Sequence, residues 1–165
     1  MGCGKSTIGK RLSTRCAFSF VDTDVLFSQI HNCSIKDYFD SHTEEEFREE
    51  ETKILHQTQY MNNTVIALGG GTPCYKDNMQ WILSNGVVVY IRMSDMALYS
   101  RLVNGKKERP LLCLPGQDLK NTIKGLLLQR EEIYCKAHIV VSGIDFDMGG
   151  LLKQLESSFT IISPA

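Results

Sequence analysis

The chain has 165 residues, 42% of them apolar and 22% charged, which suits one folded domain with a real core and leaves little room for a second. Eighteen Lys and Arg nearly cancel nineteen Asp and Glu, and this balance argues against a general nucleic-acid or anionic-membrane binder, whose affinity would rest on a basic excess. No apolar run approaches the ~18 residues of a membrane span, and no charged-then-apolar secretory pattern opens the chain.

Periodicity predicts a helix over Ser6–Arg15, a strand over Ala17–Val21 and a polar helical region over Asp24–Phe39. A longer helix runs from Thr43 to about Gln59, with Thr43 and Glu46 at capping-box spacing. A strand over Thr64–Leu68 stops at three glycines, a helix covers Asp77–Leu83, and Gly86–Ile91 is the clearest strand in the chain. Ser94 caps a helix ending at Val103. Asn104–Asp118 reads as a mobile basic loop, with Gly105, Pro110, Pro115 and Gly116 beside Lys106, Lys107 and Arg109. A long helix over Leu119–Ala137, a strand over Ile139–Val141 and a closing helix over Asp147–Ser158 complete the alternation. Short strands without polar alternation, each followed by a helix, imply a parallel sheet covered on both faces: one α/β domain over 1–165. The six cysteines form no C-x-x-C pair and the four histidines are scattered, so the cysteines are expected to be reduced thiols in a cytoplasmic protein without a structural metal.

The opening M-G-C-G-K-S-T matches the end of a P-loop, G-x-x-x-x-G-K-[ST]. Gly2, Cys3 and Gly4 would turn backbone N–H groups toward phosphate oxygens. Lys5 would reach the β/γ-phosphates of ATP, Ser6 would ligand Mg²⁺, and Thr7 would follow in the helix whose N-terminus favours anions. The motif's first glycine, and the strand feeding the loop, would fall before Met1. In P-loop folds that strand is central, so without it two neighbouring strands would carry unpaired edges inside the sheet. A gene product beginning upstream and a degenerate protein are both open readings, and the intact remainder of the site favours the first.

Phe20-Val21-Asp22-Thr23-Asp24 sets two carboxylates two residues apart at the C-terminal end of a strand, where open α/β sheets build their sites. One could hold the water shell of Mg²⁺ and the other could orient or deprotonate an attacking hydroxyl. The plainer alternative is a strand-to-helix turn capped by Asp24.

In order and spacing, M-G-C-G-K-S-T, V-D-T-D, E-E-E-F-R-E-E-E, A-L-G-G-G, E-R-P-L-L and Q-R-E-E-I-Y resemble the shikimate kinase family, across nearly the whole chain. The resemblance implies a three-layer P-loop kinase fold, its central parallel sheet in the order 2-3-1-4-5 with strand 1 absent from this chain. It also implies transfer of the ATP γ-phosphate to the 3-hydroxyl of shikimate, on the route to chorismate and the aromatic amino acids. Asp22 matches the magnesium-linked aspartate, and Asp24 the residue that binds shikimate hydroxyls and acts as base. Arg48 and Arg130 match the pair that clamps the substrate carboxylate, a task suited to guanidinium forks. Gly69, Gly70 and Gly71 match the loop that approaches the substrate ring. Arg109 matches the lid arginine that meets the transferring phosphate, with Asn104–Asp118 as the lid and about 24–60 as the substrate-binding helical region. Arg101 stands near the family's adenine site. Thr43 stands where a glycine is common.

Blander roles stand beside these. Arg48 could simply pair with Glu44 or Glu51. Arg130 could be a solvated helix charge, and Gly69–Gly71 a plain turn. Lys106 and Lys107 read as a solvated loop tip, Trp81 and Tyr90 as packing residues, Glu51 as support for the arginines and Tyr134 as support for Arg130. The expectation is a monomeric, cytoplasmic kinase of shikimate that uses ATP with Mg²⁺ and binds neither nucleic acid nor membrane. A gluconate-type kinase and a non-catalytic nucleotide-binding protein are the competing readings.

Overall fold

A computed structural model describes residues 2–104 and 118–158. Helix α1 (Lys5–Cys16) starts after Gly4, whose φ of 89° is a left-handed geometry that costs glycine little. The helix closes at Ala17, also left-handed, whose N–H bonds back to the Ser13 and Thr14 carbonyls. That closure delays strand β1 to Ser19–Asp22, two residues later than the sequence predicts.

β1 pairs in parallel with β2 (Thr64–Ala67), Ser19 opposite Thr64 and Asp22 opposite Ala67. The predicted helical region between them divides in two. α2 (Thr23–His31) ends at left-handed Asn32, and a capping box of Ser34 and Asp37 opens α3 (Ile35–Ser41). The cap of α2 is Asp22, which accepts from the Asp24 N–H, so Asp24 itself is left for other work. The Thr43–Glu46 capping box opens α4 (Glu44–Gln57), which tightens to a 3₁₀ turn over Thr58–Tyr60 as the Thr58 hydroxyl donates to the Leu55 carbonyl.

The second half contains α5 (Asn78–Asn85), β3 (Val89–Arg92), α6 (Asp95–Val103), α7 (Leu119–Tyr134), β4 (Ile139–Ser142) and α8 (Met148–Ser158). β3 begins three residues after Gly86, because the Val88 N–H donates to the His138 ring rather than to a strand. α7 stops at Tyr134, short of the expected Ala137. β3 and β4 are parallel, Val89 opposite Ile139.

Among the described residues the strands form two separate parallel pairs, β1–β2 and β3–β4. Within these residues β2 and β3 each pair on one side only. The basic segment 105–117, with Arg109, lies outside the described residues, which do include its flanking caps, Asn104 after α6 and Asp118 before α7.

Three apolar clusters hold the elements. Phe27, Tyr38, Phe47 and Ile54 bind α2, α3 and α4 together. Met93, Leu98 and Ile123 join α6 and α7 to the end of β3, and Ile139, Leu151 and Leu155 join β4 to α8. Phe27 is 1% exposed, with the Phe47 ring 4.9 Å and the Tyr38 ring 5.0 Å away. Phe27→Ala should therefore cost about 3–5 kcal/mol, as for other buried aromatics cut to a methyl. Urea unfolding checks this: the midpoint falls while the slope is kept.

Candidate active site

The site lies where the ends of β1 and β2 meet the start of α1. The Lys5 ammonium donates to Asp24 Oδ2 at 2.9 Å and to Asp22 Oδ1 at 3.4 Å. The Ser6 hydroxyl donates to the other oxygen of Asp22. The V-D-T-D segment thus divides its work: Asp22 faces Ser6 and caps α2, while Asp24, 42% exposed at its side chain, turns to the open side with Lys5. Burial works against the charge on Lys5, but Asp24 and then Asp22 outweigh it and raise the ammonium above its ordinary pKa. Burial also opposes the Asp22 charge. The Ser6 hydroxyl, Lys5 and the Asp24 N–H overcome it and hold the carboxyl below its usual range.

Thr23, between the two aspartates, is buried. Its hydroxyl donates to the Ala67 carbonyl and accepts from the Gly69 N–H, joining the end of β1 to the glycine loop. A methyl group at Gly71 would overlap the Arg48 guanidinium, and one at Gly69 would reach Glu51, Thr72 and Asp24. The absent side chains let the α4 arginine and the loop backbone share one space.

Arg48 is 7% exposed and Glu51 8%, and the two form an ion pair at 2.5 Å. Arg48 also reaches Glu44 at 2.9 Å, so both helical partners foreseen for it are present. Burial disfavours its charge, but Glu51 and Glu44 more than compensate and keep the guanidinium ionised. The second oxygen of Glu51 accepts from Thr72 at 2.8 Å, and Asn78 donates to Thr52 and to the Thr72 carbonyl. Arg130 reaches the same region from α7, beside Cys74 and Tyr134. Tyr134 donates to the Gly70 carbonyl at 2.5 Å, and burial pushes its phenol up to about 12.

Arg101 occupies the other flank. Its fork donates to the Cys3 carbonyl at 3.0 Å and to the Gly143 carbonyl at 2.9 Å, tying the phosphate loop to the end of β4. Thr7 is exposed in the first turn of α1. Gly2, Cys3, Gly4, Lys5, Ser6, Asp22, Asp24, Arg48, Gly69, Gly70, Gly71 and Arg130 lie in one region of the molecule. Thr23 and Thr72 were not singled out from the sequence; their only sign was position, one inside V-D-T-D and one directly after the three glycines. Ser6 and Asp22 set a hydroxyl and a carboxylate oxygen side by side, a donor set that fits Mg²⁺, which binds through few protein oxygens together with substrate phosphates.

A model of the shikimate kinase family matches residues 1–148. The chain belongs to the shikimate kinase family. Shikimate kinases from Azobacteroides pseudotrichonymphae (37% identical, covering 94% of this chain and 92% of the relative) and Flavobacterium johnsoniae (39%, covering 81% and 80%) are among its relatives. A crystal structure of shikimate kinase from Bacteroides thetaiotaomicron superposes with a TM-score of 0.82 at 27% identity, covering 99% of this chain and 94% of that one. Shikimate kinase from Acinetobacter baumannii in complex with shikimate gives 0.84 at 27%, covering 96% and 89%. As a shikimate kinase the chain is an ATP-dependent phosphotransferase with the P-loop kinase fold, and no helix among the described residues is long and apolar enough to cross a membrane.

The depressed Asp22 pKa has a consequence for stability. Its stabilising contribution is complete above the unfolded value of 3.8 and is lost as pH falls through the lower folded value. Asp22→Asn should remove that part of the acid sensitivity. Urea midpoints measured between about pH 6 and pH 2 should fall less steeply for the variant than for the parent chain.

Proposed function

We propose that this chain transfers the γ-phosphate of ATP to the 3-hydroxyl of shikimate with the residues gathered around Asp24. The observation carrying this reading is the contact of Asp24 with both halves of the site. It accepts from the phosphate-loop lysine, and it borders the glycine loop against which Arg48 lies.

Gly2, Cys3, Gly4, Lys5, Ser6 and Thr7 hold the ATP phosphates, with Arg101 fixing the backbone at Cys3. Ser6 and Asp22 hold Mg²⁺, which when bound neutralises charge on the β- and γ-phosphates. Arrival of those phosphates gives Lys5 a stronger anionic partner and releases Asp24 from it. The freed carboxylate accepts a hydrogen bond from the 3-hydroxyl, aligns its oxygen toward the γ-phosphorus and takes its proton as the new O–P bond forms and the bond from the γ-phosphorus to the bridging oxygen breaks, that oxygen leaving with ADP. Arg48 and Arg130 hold the shikimate carboxylate, and Gly69–Gly71 let the ring approach the backbone. Arg109, outside the described residues, is assigned to the transferring phosphate on the resemblance alone, with Asn104–Asp118 as the lid that excludes water. Action as a monomer and a cytoplasmic location are part of the same proposal.

ADP release that requires both shikimate and Mg²⁺ tests the reaction itself, and turnover indifferent to shikimate would refute it. Asp24→Asn should lower kcat by about 10²–10⁴ while leaving the KM for ATP close to that of the parent. Arg130→Ala should raise the KM for shikimate at least about tenfold, the worth of a charged hydrogen bond, with little change in the KM for ATP. Gly71→Ala should act in the same direction by displacing Arg48. Steady-state kinetics with each substrate varied in turn distinguishes the two effects.

A further inference from the structure

Arg130 differs from Arg48 in what holds it. Arg48 is fixed by Glu44 and Glu51 on its own helix, whereas no carboxylate among the described residues forms an ion pair with Arg130. Its neighbours are Cys74 and the Tyr134 phenol, so the direction of its guanidinium depends on how α7 is set against the sheet. Consecutive helical residues point about 100° apart, and fixing the azimuth of one therefore fixes that of the next.

The next residue along α7 is held on both its oxygens. Glu131 Oε2 accepts from the Tyr90 hydroxyl at 2.7 Å, and Oε1 lies 2.8 Å from Arg92 Nε. Tyr90 and Arg92 stand two apart on β3 and so share one face of the sheet, while Val89 packs on the other face with Ile139, Leu151 and Leu155. One carboxylate thus bridges two side chains of the strand. Burial and then Glu131 raise the Tyr90 pKa, so its phenol stays protonated and keeps donating. The Arg92 end is exposed and contributes little to stability as an ion pair; the half-buried Tyr90 end is the firmer one. The Tyr90 ring also lies 5.0 Å from that of Tyr134, whose hydroxyl holds the Gly70 carbonyl. α7 is therefore attached at two azimuths, to β3 and to the glycine loop.

We infer that Glu131 is a positioning residue and Tyr90 its anchor: together they stop α7 from turning about its axis and so set the direction from which Arg130 meets the substrate carboxylate. The inference rests on the role proposed above for Arg130. Charge and orientation predict opposite signs here. A carboxylate next to Arg130 repels an anionic substrate, so through charge alone its removal would lower the KM for shikimate. Loss of a positioning contact raises the KM, and cannot raise it further once Arg130 is gone.

Steady-state kinetics on the full chain, with each substrate varied in turn, tests this. Glu131→Ala should raise the KM for shikimate about three- to tenfold, below the effect of Arg130→Ala, with the KM for ATP unchanged. Tyr90→Phe, which keeps the ring against Tyr134 and removes only the hydroxyl, should raise it about two- to threefold. Glu131→Gln still accepts from Tyr90 and should stay close to the parent. In an Arg130→Ala background, Glu131→Ala should change the KM by less than about twofold. A KM for shikimate unchanged or lowered in Glu131→Ala, an equal rise in both backgrounds, or a matching rise in the KM for ATP would overturn the inference. Should Glu131→Ala fail to fold, Tyr90→Phe decides in its place, and a parental KM there overturns the inference. An effect of Arg130→Ala without one of Glu131→Ala leaves the carboxylate reading standing and removes this inference alone. No effect of Arg130→Ala removes both.

Discussion

A buried charge must be matched where it lies, and the Arg48–Glu51 pair imposes that requirement on α4 and the glycine loop beside it. Both side chains are largely withdrawn from water, so removing either partner leaves the other uncompensated. The pair also reaches beyond α4. Glu51 holds Thr72, Thr72 and Thr52 are joined through Asn78, and Arg48 lies where a side chain at Gly71 would otherwise be. One ion pair thereby fixes the rotamer of an arginine, the path of the glycine loop and the start of α5. Preorganisation of this kind lets a guanidinium receive a carboxylate without first losing its own freedom.

The phosphate side has a different character. Lys5 is more exposed than Arg48, and its two partners are carboxylates with separate tasks. Asp22 is committed three ways, to Ser6, to Lys5 and to the first turn of α2. Asp24 has Lys5 as its side-chain hydrogen-bond partner and is open to solvent, so it can exchange that partner at little structural cost. A rigid half and an exchangeable half meet at one carboxylate. In the proposed reaction, positioning and charge neutralisation, the main demands of phosphoryl transfer, would be divided between them.

Much of this was legible in the order of residues. G-K-S-T, V-D-T-D and the three glycines carry their chemistry within a few consecutive positions, and both the capping box at Thr43 and Glu46 and the pairing of Arg48 with Glu44 and Glu51 follow from helical spacing. What escaped depends on backbone choices or on distant partners. Asn32 divides a helical stretch by adopting a left-handed conformation, and His138 takes the Val88 N–H and so delays β3. Thr23 and Thr72 act through residues 44–46 and 21 positions away, respectively, and nothing in their own neighbourhood announces it. The capping role fell to Asp22 rather than Asp24, since β1 runs one residue further than its apolar run suggests.

The Arg101 fork gives the phosphate loop a mechanical position that its sequence alone does not convey. The loop is a span with two abutments: Lys5 and Ser6 rest on the first strand pair through Asp22, while Cys3 is tied through Arg101 to Gly143 at the end of the second. Close-packed elements transmit displacement rather than absorb it. A shift of one strand pair against the other is therefore carried in part by the few bonds between Cys3 and Ser6, together with the Tyr134–Gly70 bond, so the loop proposed to cradle the phosphates also senses strain in the sheet.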